Sequence, residues 1–292
     1  MMDSLINNKI NGLSSYTYNY INEHKIEYEH IYGIKIYAWF IRKSTIRGLG
    51  RKSSDLDVVF LFLGNKKKYS IIFERADRRN EFQLYSVSDA WKLMIENKKR
   101  VLSNKGSDLY EVSPMYTHYV FDYFNGIACS IGNRFKYAEE SYLSFEKLLT
   151  KVYEPLCAAK QLADEAKLIR DRLRVGYEVS LNQMINSIWA GIGATMLLNG
   201  SLPGTLDIRS MHPPFISEQE QVQINSMVLK FKQSVQKQCN YGRFGEERMI
   251  LEKALDEYEK KKKSCLVKII DTNSMQKQAE EWMKTQIEGI GV

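Results

Sequence analysis

The sequence predicts an α+β fold, a small mixed β-sheet followed by a helical C-terminal part. Three observations predict it. Runs rich in Ile, Val, Phe, Tyr and Trp occur before residue 88, at strand length and bounded by polar turns. Strand signals fade from Tyr116 onward. The later chain is a series of helix-length periodic segments separated by loops such as Pro203-Gly204 and Pro213-Pro214. The predicted domains are 1–115 and 116–292.

The first element, Ser4 to Glu29, mixes Tyr, Asn and Ile and reads as helix. Ile34 to Ile41 has strand composition, and Arg42 to Ser54 is a polar stretch with two glycines. Leu56 to Leu63 is an almost continuous apolar run, as a buried strand requires. A lysine turn leads to a third strand, Tyr69 to Phe73, and a basic loop to a fourth, Glu81 to Val87. Period two sets Glu81, Gln83 and Tyr85 on one face of that strand and Phe82 and Leu84 on the other. A helix follows from Ser86 or Ser88. Phe121–Leu149, Glu154–Arg174, Ser180–Leu198, Ser217–Gln238 and Glu246–Lys263 complete the helical part.

Bulk properties narrow the function classes. Of the 292 residues, 44% are hydrophobic, enough for a sizeable core, and no apolar run is long enough to span a bilayer. The polar start, Met1 to Lys9, lacks the apolar core of a secretory signal, so a cytoplasmic location is expected. Cys129, Cys157, Cys239 and Cys265 are too scattered for a zinc knuckle, and the four histidines form no cluster. A formal charge of +7 favours an anionic partner such as a nucleotide or RNA.

The chemistry concentrates in the segment from Lys43 to Asp57. A strand runs in, a turn with Gly48 and Gly50 follows, and the next strand begins with Asp55-Leu56-Asp57. Residues i and i+2 of a strand share a face, so the two carboxylates lie side by side. Like charges so close are costly unless a cation sits between them, and hard oxygen donors select Mg²⁺ or Mn²⁺. A third acid from a neighbouring strand would complete a two-metal site. Glu81, at the head of the fourth strand, is the first choice, and Glu74 the competitor.

This segment resembles the signature of the polymerase-beta nucleotidyltransferase superfamily, Gly-Ser, a spacer, then Asp-x-Asp. It is most similar to the YcgL-like branch of predicted RNA-repair nucleotidyltransferases. Arg47-Gly48-Leu49 and Ser54-Asp55-Leu56-Asp57 fall at matching offsets from Ser44. Glu81 to Val87 with Trp91-Lys92-Leu93, Ser113-Pro114, and Asn182–Leu198 followed by Pro203 and Asp207–Met211 extend the likeness. It covers residues 35–212.

The resemblance implies a palm-like catalytic domain and a helical substrate-binding domain. It also implies transfer of a nucleoside monophosphate from an NTP to a hydroxyl acceptor, on an RNA or tRNA end or on protein. Asp55, Asp57 and Glu81 become catalytic metal ligands for Mg²⁺ or Mn²⁺, while Lys43, Ser44, Arg47 and Ser54 bind the nucleotide's phosphates. Two departures stand out. Lys43 replaces the family's glycine, and so either crowds the triphosphate or adds charge to hold it. Trp189-Ala190 replaces an Arg-Pro pair, which leaves Arg172 or Arg174 to supply the lost guanidinium. Two other functions fit the same residues. One is a nucleotide- or RNA-binding protein that has lost catalysis. The other is an antitoxin-type enzyme that modifies a protein, for which the tyrosines at positions 16, 18, 20, 28 and 32 could form a partner surface.

Overall fold

The computed structural model describes residues 15–41, 47–50, 55–63, 71–75, 80–86, 155–198, 207–234, 241–242, 244–265 and 272–290. Within them the chain is mostly helical with a small mixed sheet. The predicted boundary at residues 115–116 and the helices expected after Ser86 and over Phe121–Leu149 lie outside the described residues.

Helix α1 spans Ser15–Tyr32. It ends where Gly33 takes φ +59°, a left-handed value that glycine adopts without a Cβ penalty. The amide of Ile34 then reaches back to the Glu29 carbonyl at 3.3 Å, the bond that closes a Schellman turn. Strands β1 (Lys35–Ile41), β2 (Asp57–Leu63), β3 (Ile71–Arg75) and β4 (Glu81–Ser86) form one sheet in the order β1-β2-β4-β3. The β1/β2 and β3/β4 pairs are antiparallel, and β2/β4 is parallel. β2 is central, and each of its residues after Asp57 is buried, which is why its sequence does not alternate.

α1 covers one face of the sheet. Tyr20, His24 and Tyr28 recur every four residues, so they share one side of the helix. The His24 and Tyr28 rings lie 4.8 and 5.8 Å from Phe82. Phe82 in turn stacks on Phe60, with centroids 5.4 Å apart. Tyr20 and Tyr28 therefore serve this core, while Tyr16 is exposed.

β3 lies two residues beyond its predicted place, because Glu74 and Arg75 continue the strand. β3 is an edge strand, where charged residues are tolerated and do not end the pairing.

The helical part contains α2 (Pro155–Arg174), α3 (Leu181–Leu197), α4 (Glu218–Gln233), α5 (Gly245–Lys262) and α6 (Thr272–Ile290). Ser180 and Gln183 cap α3 reciprocally, and Ser217 and Glu220 cap α4. α3 is buried along nearly its whole length between α2 and α5. A Cβ at Gly191 would meet the Ala254 methyl at 3.2 Å, so the α3/α5 crossing is close. Thr195 bonds the carbonyls of Gly191 and Ala254 across it, at 3.1 and 3.0 Å.

Two features escaped the sequence. Val179–Ser180 (β5) pairs with Tyr241–Gly242 (β6), two residues each and too short to leave a periodic pattern. α6, which lies against β2, was not predicted, although Met275, Ala279, Trp282, Met283, Ile287 and Ile290 recur at helical spacing. No described helix is long and apolar enough to cross a membrane.

Candidate active site

The acidic positions gather where β2 and β4 begin. Asp57 and Glu81 are direct partners in the parallel pairing, so they occupy one row of the sheet. Asp55 precedes Asp57 by two residues, and all three acids are half-buried. Glu74 pairs with Phe82 instead, one row away, which favours Glu81 over it as the third acid.

Backbone and side-chain bonds fix this rim. The Glu81 amide donates to the Leu56 carbonyl at 3.0 Å, and the Leu56 amide donates to Asn80 Oδ1 at 3.0 Å. Asn80 Nδ2 donates to the Tyr20 hydroxyl at 3.2 Å, tying the rim to α1. On the Glu81 face, Gln83 Nε2 donates to Glu81 Oε1 at 2.5 Å. Gln83 was legible as a face-mate of Glu81, by period two. Nothing in the sequence marked Asn80 beyond its place before Glu81.

The donors suit a hard divalent cation. Neighbouring strands lie about 4.8 Å apart, so side-chain rotation alone could bring Asp57 and Glu81 onto one ion. Among the described residues, however, no three His, Cys, Asp or Glu side chains are already grouped as metal ligands. Lys43, Ser44 and Ser54, expected to hold the nucleotide, lie outside the described residues.

Arg47 to Gly50 are described, and they dock on the helical part. The Arg47 guanidinium carbon lies 3.9 Å over the Trp189 ring, and its Nη1 donates to Asn186 Oδ1 at 3.0 Å. The Arg47 carbonyl accepts from the Ile208 amide at 3.2 Å. Leu49 is buried within the helical core. Gly48 takes φ +75°, and a Cβ there would fall 2.1 Å from Asp207 Oδ1. The turn before the acids is thus moulded to α3 and to the 207–211 loop. The guanidinium at Trp189 belongs to Arg47, while Arg174 pairs with Glu252 at 3.3 Å.

Asp207 organises its loop. Its carboxylate accepts from Arg209 Nε at 2.9 Å and the Arg209 amide at 3.0 Å, and it pairs with Arg209 Nη2. Burial opposes the charged form of Asp207. The hydrogen bonds and charge of Arg209, with the charge of Lys232, outweigh it and hold the carboxyl below its usual range. Asp207–Met211 stood out in the sequence only as a stretch of family likeness, since contact with Gly48 bridges positions far apart in the chain.

No protein-family model matches the chain, and no curated protein matches it either.

Proposed function

We propose that the protein is a nucleotidyltransferase of the polymerase-beta type, built on a palm-like sheet domain. It transfers a nucleoside monophosphate from an NTP to a hydroxyl acceptor on an RNA or tRNA end, or on protein. The observation that carries this reading is the shared row of Asp57 and Glu81, with Asp55 two residues upstream. In this reading Asp55, Asp57 and Glu81 hold Mg²⁺ or Mn²⁺. When bound, such ions neutralise triphosphate charge and acidify the acceptor hydroxyl. Lys43, Ser44 and Ser54 hold phosphate oxygens. Asn80 and the Leu56 backbone keep the two acid-bearing strands aligned. Arg47, held over Trp189, supplies the guanidinium that the resembled branch carries on its helix.

The test uses the full chain with labelled NTPs, Mg²⁺ or Mn²⁺, and bulk RNA or tRNA as acceptor. Wild type should label the acceptor or itself, and chelation should abolish the signal. Asp57→Asn should lower the rate by at least about a hundredfold, the scale of losing one charge-stabilising group. Equal labelling by an Asp55→Ala/Asp57→Ala variant rejects the proposal.

One observation favours a second reading, a nucleotide-binding protein without turnover. The Glu81 carboxylate is engaged by Gln83. Calorimetric binding of NTP with Mg²⁺ and no labelling of any acceptor would select it.

A further inference from the structure

Helix α1 stands behind the acid rim. Val58, Phe60 and Phe62 of β2 and Phe82 and Leu84 of β4 belong to the core beneath α1. Asp57 and Glu81 alternate with them, so both acids lie on the sheet face turned away from the helix. Leu56, between Asp55 and Asp57, packs against the α1 core, and so does Tyr20.

Asn80 joins the helix to the rim. Carried back by one residue, the β2/β4 register sets Leu56 opposite Asn80. In a continued parallel ladder the Leu56 carbonyl would accept from one main-chain amide of the neighbouring strand, and the Leu56 amide would donate to a main-chain carbonyl. The first bond is present, from the Glu81 amide at 3.0 Å. The Leu56 amide donates instead to Asn80 Oδ1, at 3.0 Å. A main-chain amide must meet an oxygen, so this bond fixes the orientation of the Asn80 carboxamide. Its Nδ2 then donates to the Tyr20 hydroxyl at 3.2 Å. One side chain thus takes the place of a ladder bond and hands its other end to α1. The place is the middle of the acid group: Leu56 is flanked by Asp55 and Asp57, and Asn80 directly precedes Glu81.

The neighbours of Tyr20 aim its hydroxyl. Its ring meets His24 edge-on at 4.6 Å and lies 6.1 Å from Phe82, the residue after Glu81. Tyr16 stacks on it at 6.5 Å. A phenylalanine would fill the same ring site, so ring packing does not require the hydroxyl. What the hydroxyl adds at the rim is the bond to Asn80.

We propose that Tyr20 and Asn80 are positioning residues of the candidate active site, and that cation affinity at Asp55, Asp57 and Glu81 depends on the hydroxyl that α1 supplies. The inference rests on the transferase reading for the cation and extends the site to the N-terminal helix. Both residues act through the acids. Asn80 sets the spacing of the two strands where the acids stand, and Tyr20 holds Asn80 in the orientation that does so. Losing an outer partner that orients metal ligands typically weakens affinity about 10–100-fold.

The test is Mn²⁺ binding by the full chain without NTP, followed by electron paramagnetic resonance, which reads the site and not turnover. Asp57→Asn should remove the binding and so identify the site. Asn80→Ala should weaken Mn²⁺ by about tenfold or more. Tyr20→Phe, which loses one hydroxyl and keeps the ring, should weaken it by about two- to tenfold. In the Asn80→Ala background Tyr20→Phe should have no further effect, because the hydroxyl acts through Asn80. Ile21→Val is the control. It thins the same core at a fully buried position, and its side chain makes no hydrogen bond. It should lower the melting temperature and leave Mn²⁺ affinity unchanged. A merely structural role would make Tyr20→Phe behave like Ile21→Val.

Wild-type Mn²⁺ affinity in Tyr20→Phe overturns the proposal. So does a Tyr20→Phe loss of equal size with and without Asn80. If Asn80→Ala does not fold, the comparison of Tyr20→Phe with Ile21→Val decides. A wild type that binds no Mn²⁺, or whose binding survives Asp57→Asn, rejects the proposal together with the metal role of the acids. The expected Mn²⁺ pattern in a protein that labels no acceptor retains the positioning pair and rejects the transferase reading.

Discussion

In the sheet part the core is aromatic: Tyr28, Trp39, Phe60, Phe62 and Phe82 sit among isoleucines beneath α1. In the helical part it is mostly aliphatic and small residues around Trp189, Phe231 and Tyr258, with Ala159, Ala163, Ala166, Ala190, Ala194 and Ala254 fully or almost fully buried. The two solutions answer different geometries. A helix lying on a sheet leaves a gap that large rings fill, and stacked or edge-on rings add about 0.5–1.5 kcal/mol per pair beyond their buried area. Helices crossing as closely as α3 and α5 require small residues, and Thr195 can then bond the partner's carbonyl. The difference teaches where chemistry can sit. The helical part caps α3 and α4 with side chains, whereas the sheet part sets three half-buried acids at the start of its central strands. In the proposed transferase the helical part provides the platform and the sheet part the edge that carries the chemistry.

Truncating one ring in each part is the strongest way to break this comparison. Phe82→Ala removes the ring on which α1 and Phe60 converge. Trp189→Ala removes the largest fully buried side chain of the helical core. Each should cost about 3–5 kcal/mol in denaturant unfolding. Native-state hydrogen exchange should show Phe82→Ala lowering protection first in α1 and β2, and Trp189→Ala first in α2, α3 and α5. Trp189→Ala should also release Arg47 and reach the 47–50 turn. If both variants lower protection uniformly, the two parts form one cooperative unit and the contrast is only compositional.

Gly48→Ala probes the seam with a smaller effect. An alanine at φ +75° costs about 1–2 kcal/mol from the backbone alone. Its methyl would also displace Asp207, because the nearest carboxylate oxygen lies 2.1 Å from that position. The expected outcome is a loss of at least about 1–2 kcal/mol, with raised exchange at Ile208, Ser210 and Met211. Gly50→Ala gives the contrast, since the left-handed glycine of the turn is Gly48. Equal stability of the two variants would show that the turn is not clamped.

Much of the sheet part was legible because its signals are local. The apolar run of β2, the alternation of β4 and the Asp55-Leu56-Asp57 spacing each sit within a few residues, and register alone turns them into the Asp57–Glu81 row. The helices were legible as helix-length periodic segments between loops; the capping boxes of Ser180 with Gln183 and Ser217 with Glu220 emerged with the structure. The seam was not legible. Arg47 over Trp189 and Gly48 against Asp207 join positions more than 140 residues apart. No periodicity encodes such a contact, and an arginine beside a two-glycine turn reads as a phosphate binder or a solvated loop. α6 went unread although Met275, Ala279, Trp282, Met283, Ile287 and Ile290 do recur at helical spacing, and it lies against β2.

The smallest expected effect concerns acid. In the helical part Asp207, Glu220, Glu252 and Glu259 are all held below their usual carboxyl range. For Asp207, Glu220 and Glu252 burial pushes the other way, and the hydrogen bonds and charges of Arg209, Lys253, and Arg248 with Arg174 prevail over it. For Glu259 the Lys167 hydrogen bond leads, at 2.6 Å. A carboxyl whose folded pKa lies below its unfolded value binds more protons when unfolded. It therefore stabilises the fold above the unfolded pKa, near 4, and loses that contribution as pH falls through the folded value. The helical part should thus weaken between about pH 4 and pH 2, by modest amounts, since partly exposed pairs are each worth about 0–1 kcal/mol. Asp207 is the member placed at the seam. Asp207→Asn should lower the melting temperature at pH 7, through the lost Arg209 pairing, and should flatten the decline from about pH 4 to pH 2. Exchange at Ile208 should follow the same pH dependence in wild type and lose it in the variant. An unchanged acid profile in Asp207→Asn would place the acid sensitivity in the Glu220, Glu252 and Glu259 pairs and leave the seam insensitive to protons.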